Sequence, residues 1–160
     1  MSAEALRTYL NDHLAGSVAA VELLDHLASI HKGSEREQFF LSIRQEVEEN
    51  QTILRELLRD VGGKESRVRK AAAWLTEKLG EVKLQLDDPK NGDLRRLEAL
   101  ETLSLGIQGQ MALWRALQAA ADRLPQARRL DFADLQRRAQ GLHDRVDGLR
   151  LQLAPLVLSS

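Results

Sequence analysis

Apolar residues recur at intervals of three and four positions along five long stretches of this chain, and this spacing constrains the fold more than any other feature. Residues spaced in this way share one face of an α-helix, because the helix turns once every 3.6 residues or about 100° per residue. The period stays close to that value without the sustained heptads of an extended coiled coil. The pattern therefore predicts a compact all-α protein whose helices turn their apolar faces toward a shared core.

Turn and capping residues divide the chain into five predicted helices. Lys32-Gly33, followed by Ser34 and Glu37, predicts that one helix ends near His31 and the next begins at Glu35. Further signals are Gly62-Gly63 at the end of the second helix, Glu65 near the start of a shorter third, Asp93 as a cap for the fourth, Leu124-Pro125 at its end, and Asp131 as a cap for the fifth. The third helix is expected to turn Val68, Ala72, Leu75, Leu79 and Val82 inward.

Composition supports one folded domain spanning residues 1–160. Hydrophobic residues make up 43% of the chain and charged residues 29%, which is enough apolar material for one core. The chain has no cysteine, which excludes disulfides and thiolate chemistry. A net charge of −1 provides no overall field for nucleic acid or anionic lipid. Without a signal peptide or a membrane span, the expected location is the cytoplasm.

Six glycines fall inside predicted helices, where each costs about 1 kcal/mol relative to alanine. They are Gly16, Gly80, Gly106, Gly109, Gly141 and Gly148. We interpret them as places where another backbone approaches closely, with a functional cleft as the alternative interpretation.

The order of the helices resembles the ferritin-like superfamily, in which four bundle helices need one long connection. Here two long helices joined by a tight turn are followed by a shorter crossover helix and two more long helices. The opening run Tyr9-Leu10-Asn11-Asp12-His13-Leu14-Ala15-Gly16 is also similar to that of uncharacterised five-helix bacterial bundles of this kind. The resemblance implies a ferritin-like four-helix bundle with an additional crossover helix, five helices in all.

Family members that bind two iron ions use single glutamates on two helices and Glu-x-x-His on the other two. In this chain the corresponding pairs are Glu48-x-x-Gln51 and Gln140-x-x-His143, each with a glutamine in place of one ligand. A neutral amide cannot bridge two metal ions as a carboxylate does. We therefore expect no complete di-iron site and no cofactor. The alternative is a divergent iron or manganese site, with ligands drawn from His13, Glu48, Glu49, Glu101 and His143.

His13 shares the predicted inner face of the first helix with Ser17, and Asn50 and Gln51 project inward from the second helix. The four side chains could form one buried polar network with a neutral His13, the interpretation we favour over a ligand or a general base. No serine nucleophile motif and no phosphate-binding loop is found in the sequence.

Basic residues cluster in two places along the chain. The first cluster is Arg67, Arg69 and Lys70, and the second is Arg123, Arg128, Arg129, Arg137 and Arg138. Acidic residues are interleaved with both clusters, which favours solvated faces over a nucleic-acid site.

Together these observations favour a non-catalytic binding or interaction protein, with the divergent metal-binding bundle as the alternative function. Phe39, Leu41, Leu94 and Leu105 lie off the main apolar stripes of their helices. We expect them to leave apolar surface outside the core, which a homodimer would cover.

Overall fold

The structure is a computed structural model that describes residues 3–159, apart from the side chains of residues 66, 67, 71, 75, 76 and 79. The described residues form helices and contain no strand. The five long helices are α1 Ala3–Ile30, α2 Glu35–Asp60, α3 Ser66–Leu86, α4 Gly92–Ala120 and α5 Phe132–Leu158, and two short 3-10 turns, Ala121–Arg123 and Pro125–Ala127, connect α4 to α5. The predicted all-α class and the shorter third helix are confirmed.

The turn between α1 and α2 uses the residues that the sequence singled out. Gly33 has a φ of 81°, a left-handed conformation that a side chain disfavours. The Glu37 carboxylate accepts a hydrogen bond from the Gly33 backbone N–H at 2.6 Å. The Ser34 hydroxyl donates to the His31 carbonyl instead of accepting from the first turn of α2. Neither hydrogen bond of a Ser34–Glu37 capping box is therefore formed, because Glu37 accepts from the residue before Ser34 and not from Ser34 itself.

The two predicted aspartate caps have different outcomes. Asp131 precedes α5, and its side chain accepts a hydrogen bond from the Asp134 backbone N–H at 3.0 Å, as predicted. The prediction for Asp93 is wrong, because α4 begins one residue earlier, at Gly92. The Asp93 carboxylate accepts instead from the Arg96 guanidinium at 2.8 Å.

Contacts between helices establish their order around the core. Short connections make α1 antiparallel to α2 and α4 antiparallel to α5, and ion pairs join α2 to α5. The second helix contributes Glu46, Glu49 and Asp60 to these pairs, which bind Arg145, Arg138 and Arg129 respectively. α3 lies outside this group and runs parallel to α1, held by Lys83 at 3.2 Å from Glu22 and His26 at 3.3 Å from Asp87.

The buried residues form two clusters stacked along the helices. The first includes Leu24, Ile43 and Leu103, and the second includes Leu10, Leu54 and Trp114. α4 contributes more buried residues than α1, α2 or α5. Val68 of α3 is buried as expected, whereas Leu75 and Leu79 lie outside the described side chains.

Three of the four apolar residues predicted outside the core are exposed, namely Leu41, Leu94 and Leu105. Phe39 differs, because it packs against the first core cluster beside the Phe40 ring. Within the described part of the chain, none of the helices is long and apolar enough to cross a membrane.

Candidate functional site

A cleft of about 470 Å³ lies between α1 and α4, with α2 behind it. Its deep wall takes residues from both core clusters: Leu23, Leu24, Ile43, Val47, Leu103 and Ile107 from the first, and Leu54 and Leu113 from the second. The cleft therefore lies at the boundary between the two core clusters. Its volume falls within the range of about 300–1,000 Å³ that is usual for small-molecule sites.

Small residues keep the cleft open to solvent. Gly16, Ala19 and Ala20 line it from α1, and Gly106 lines it from α4. A Cβ atom added at Gly16 or Gly106 would meet nothing within 4 Å other than its own helix. α1 also makes far fewer close approaches to α4 than to α2. The two glycines thus face empty space at the mouth of the cleft.

This finding corrects our interpretation of the helical glycines. Gly80, Gly109, Gly141 and Gly148 also have open space where a Cβ atom would lie, so no other backbone approaches any of the six closely. The alternative interpretation, a cleft, describes Gly16 and Gly106. Nothing in the structure explains the other four.

Polar side chains line the cleft near its rim. Asp12, His13 and Ser17 come from α1, and Thr102 and Gln110 come from α4. His13 is half-buried, and burial lowers the pKa of its imidazole below the ordinary value of 6.5, although the nearby Asp12 carboxylate opposes this shift. The Tyr9 ring packs edge-on against the His13 ring, with 4.7 Å between centroids.

The four residues predicted to form one polar network do not hydrogen-bond to one another, and all four lie within the described residues. The Ser17 hydroxyl donates to the Leu14 carbonyl of its own helix at 2.7 Å. Asn50 donates to Gln110 of α4 at 3.3 Å. Gln51 is buried on α2. His13 lines the cleft with a half-buried ring and forms no hydrogen bond to Ser17, Asn50 or Gln51.

A second, polar pocket of about 300 Å³ lies between α4 and α5. The Ser104 hydroxyl and the Gln108 amide nitrogen each lie 3.0 Å from Nε2 of His143, and Ser104 is 5% exposed. The sequence did not reveal this contact, because Ser104 and His143 are far apart in the chain and the spacing of neither is distinctive.

The Ser104–His143 contact brings a hydroxyl to an imidazole, as in a nucleophile and its base. Acyl transfer also needs free donors for an oxyanion. Ser104 lies in mid-α4, where backbone N–H groups serve the helix, and the Gln108 amide already contacts His143. The arrangement is that of a polar link between two packed helices.

The residues of the alternative metal site are dispersed. His13 lines the first cleft, while Glu101 and His143 line the second pocket. Glu48 binds Arg44 at 3.0 Å and Glu49 binds Arg138, so both carboxylates already have cationic partners. Among the residues that the structure describes, no three His, Asp or Glu side chains are grouped so as to hold a metal ion. These five residues do not form one centre.

Four of the five residues of the second basic cluster contact other groups of the bundle. Arg129 and Arg138 join α5 to α2, Arg137 binds Asp134 of its own helix, and Arg128 donates to backbone carbonyls of the preceding turn. The side chain of Arg67, in the first cluster, lies outside the described residues.

No protein family, curated protein or solved structure matches this chain.

Proposed function

We propose that this protein is a non-catalytic, ferritin-like helical bundle that binds a small apolar molecule in the cleft between α1 and α4. The observation that carries the proposal is the cleft itself, about 470 Å³ of space walled by leucine, isoleucine and valine side chains. Protein interiors are normally close-packed, with few voids larger than a water molecule. An apolar ligand would displace water from the apolar surface that the cleft as a whole exposes, which is favourable in proportion to the apolar area covered.

The helix order supports the ferritin-like part of the proposal. α1 pairs with α2 and α4 pairs with α5, while α3 carries the chain from the end of α2 back to the start of α4 along the outside of α1. A four-helix bundle with one crossover connection has this order. In members with two metal ions the ligands project into the bundle core, whereas here Gln51 stands in one ligand position and Glu48 is bound to Arg44. A binding role is therefore favoured over metal chemistry.

The test measures binding of a neutral solvatochromic dye, Nile red, to variants that fill the mouth of the cleft. Gly16→Leu and Gly106→Leu place side chains where open space now exists. We expect the double variant to bind the dye at least roughly tenfold more weakly, a loss of about 1.4 kcal/mol in binding free energy.

Gly141→Leu is the matched control, because Gly141 is also an exposed helical glycine with open space around it but lies on α5, away from the cleft. Leucine has a higher helix propensity than glycine at all three positions, so each variant should keep its helical circular dichroism. Equal dye affinity in the wild type and the double variant, or no binding to the wild type, would contradict the proposal.

A further inference from the structure

The side chains that line the cleft carry one negative charge and no full positive charge. Asp12 is the one charged residue among those that line it, all of which belong to the described part of the chain, and neither Lys nor Arg is among them. His13 adds no full positive charge at neutral pH, because burial lowers its pKa. A bound molecule therefore meets one negative charge and no compensating cation.

Asp12 also differs from Glu22 and Asp25 of α1 and from the α2 acids that face α5. Glu22 and Asp25 bind Lys83 and Arg44 respectively. Glu46 and Glu49 of α2 bind arginines of α5. Asp12 forms no ion pair with any Lys, Arg or His side chain that the structure describes. Its carboxylate is exposed at the rim of the cleft, where a ligand can reach it.

The ionisable lining residues, Asp12 and His13, lie toward one end of the cleft. α1 runs opposite to α2, α2 to α5 and α5 to α4, so α1 and α4 are antiparallel. Asp12 and His13 therefore lie at the same end as Gln110 of α4, while Leu23 and Leu24 lie at the other end with Leu103. Asp12 and Leu23 are eleven residues apart, about 16 Å along the helix at 1.5 Å per residue. The cleft is thus an elongated apolar slot with an acid near one end.

We infer that the ligand is a cationic amphiphile, an elongated apolar group that carries an ammonium at the end nearest Asp12. The inference rests on the proposed function and specifies the chemical class of its ligand. An apolar chain fits the walls of the slot, and opposite charges attract at its rim. A carboxylate in the same place would meet Asp12 with like charge. The exposed Tyr9 ring, one turn before His13, adds an aromatic surface of the kind that ammonium groups favour.

The experiment compares three ligands that share one alkyl chain: decyltrimethylammonium, decanol and decanoate. Each is titrated at pH 7.5 and below its micellar concentration, by calorimetry or by displacement of Nile red. We expect decyltrimethylammonium to bind roughly tenfold more tightly than decanol and decanoate to bind most weakly, with the differences shrinking as salt is added.

Variants then assign the preference to one residue. Asp12→Asn should remove most of the advantage of the ammonium ligand while the affinity for decanol stays unchanged. Asp144→Asn, an exposed acid on α5 outside the cleft, should change neither affinity. Decanoate binding as tightly as the ammonium ligand, or an undiminished preference in Asp12→Asn, would overturn the inference and leave the proposed function standing. Failure of all three ligands to bind the wild type would overturn both.

Discussion

At the scale of single residues, three inner polar side chains find a partner on their own helix or on a neighbouring one. The Ser17 hydroxyl donates to a carbonyl of its own helix, and Asn50 reaches Gln110 across the core. Ser104 meets His143, its neighbour on α5. Helical periodicity identifies which residues point inward, but the partner depends on which helix lies opposite. The sequence predicts His13 on the inner face of α1, where it lines the cleft, but no hydrogen bond joins it to Asn50 or Gln51.

His13 is expected to make the stability of the fold sensitive to acid. Burial lowers its folded pKa, so below 6.5 the unfolded chain binds a proton more readily than the folded chain does. The free energy of unfolding should therefore be unaffected by this group above 6.5 and should fall as the pH drops through 6.5. His31 contributes in the same direction, because burial and then Arg96 and Arg36 lower its pKa.

Urea denaturation at pH 8 and pH 5.5 measures this dependence. His13→Gln should lose less stability between the two values than the wild type, and His13→Gln combined with His31→Gln should lose less still. Full retention of the wild-type pH dependence in His13→Gln would refute the assignment. His13→Leu is a second variant: because His13 has no hydrogen-bond partner within the described residues, we expect it to be at least as stable as the wild type at both values.

At the scale of the helix, residues within a few positions of each end decide where it begins. Asp131 caps α5 because its carboxylate lies three residues before an N–H group that the helix cannot satisfy. Asp93 has the same chemistry, but Asn91 and Gly92 start α4 ahead of it and Arg96 takes its carboxylate. Several residues near the start of α4 could serve as its N-cap, and the sequence alone does not show which of them precedes the first turn.

Asp131→Ala should therefore destabilise the protein by about 1 kcal/mol, the usual loss when a helix N-cap side chain is removed. Asn91→Ala is the matched control, because Asn91 occupies the equivalent position before α4 and its side chain makes no capping hydrogen bond. Chemical denaturation at pH 7.5 compares the two. Equal losses in the two variants would show that the hydrogen bond to the Asp134 N–H contributes nothing.

At the scale of the whole molecule, several leucines are exposed to solvent. Leu105 is 60% exposed on α4 beside the second pocket, and Leu41 and Leu94 are also exposed. Single exposed leucines are common, so the homodimer stays a proposal.

We expect sedimentation at tens of micromolar protein to detect a dimer, a concentration at which an interface with a micromolar Kd is largely occupied. Leu105→Glu should shift the distribution toward the monomer, because it places a charge in the apolar contact. Leu84→Glu on α3, equally nonconservative and at a residue 77% exposed, is the control and should leave the dimer intact. A wild-type monomer under these conditions would exclude the dimer.

The helices, their order and most of their inner faces could be predicted from local sequence, because capping, turn formation and periodicity act over a few neighbouring residues. The distance between the helices could not. Gly16 and Gly106 belong to different helices, and whether the space beside them is filled depends on the combined packing of α1, α2 and α4. The same glycines are compatible with a close helix contact or with an open cleft. The cleft results from how the side chains of all three helices pack together, and a local sequence pattern does not contain that information.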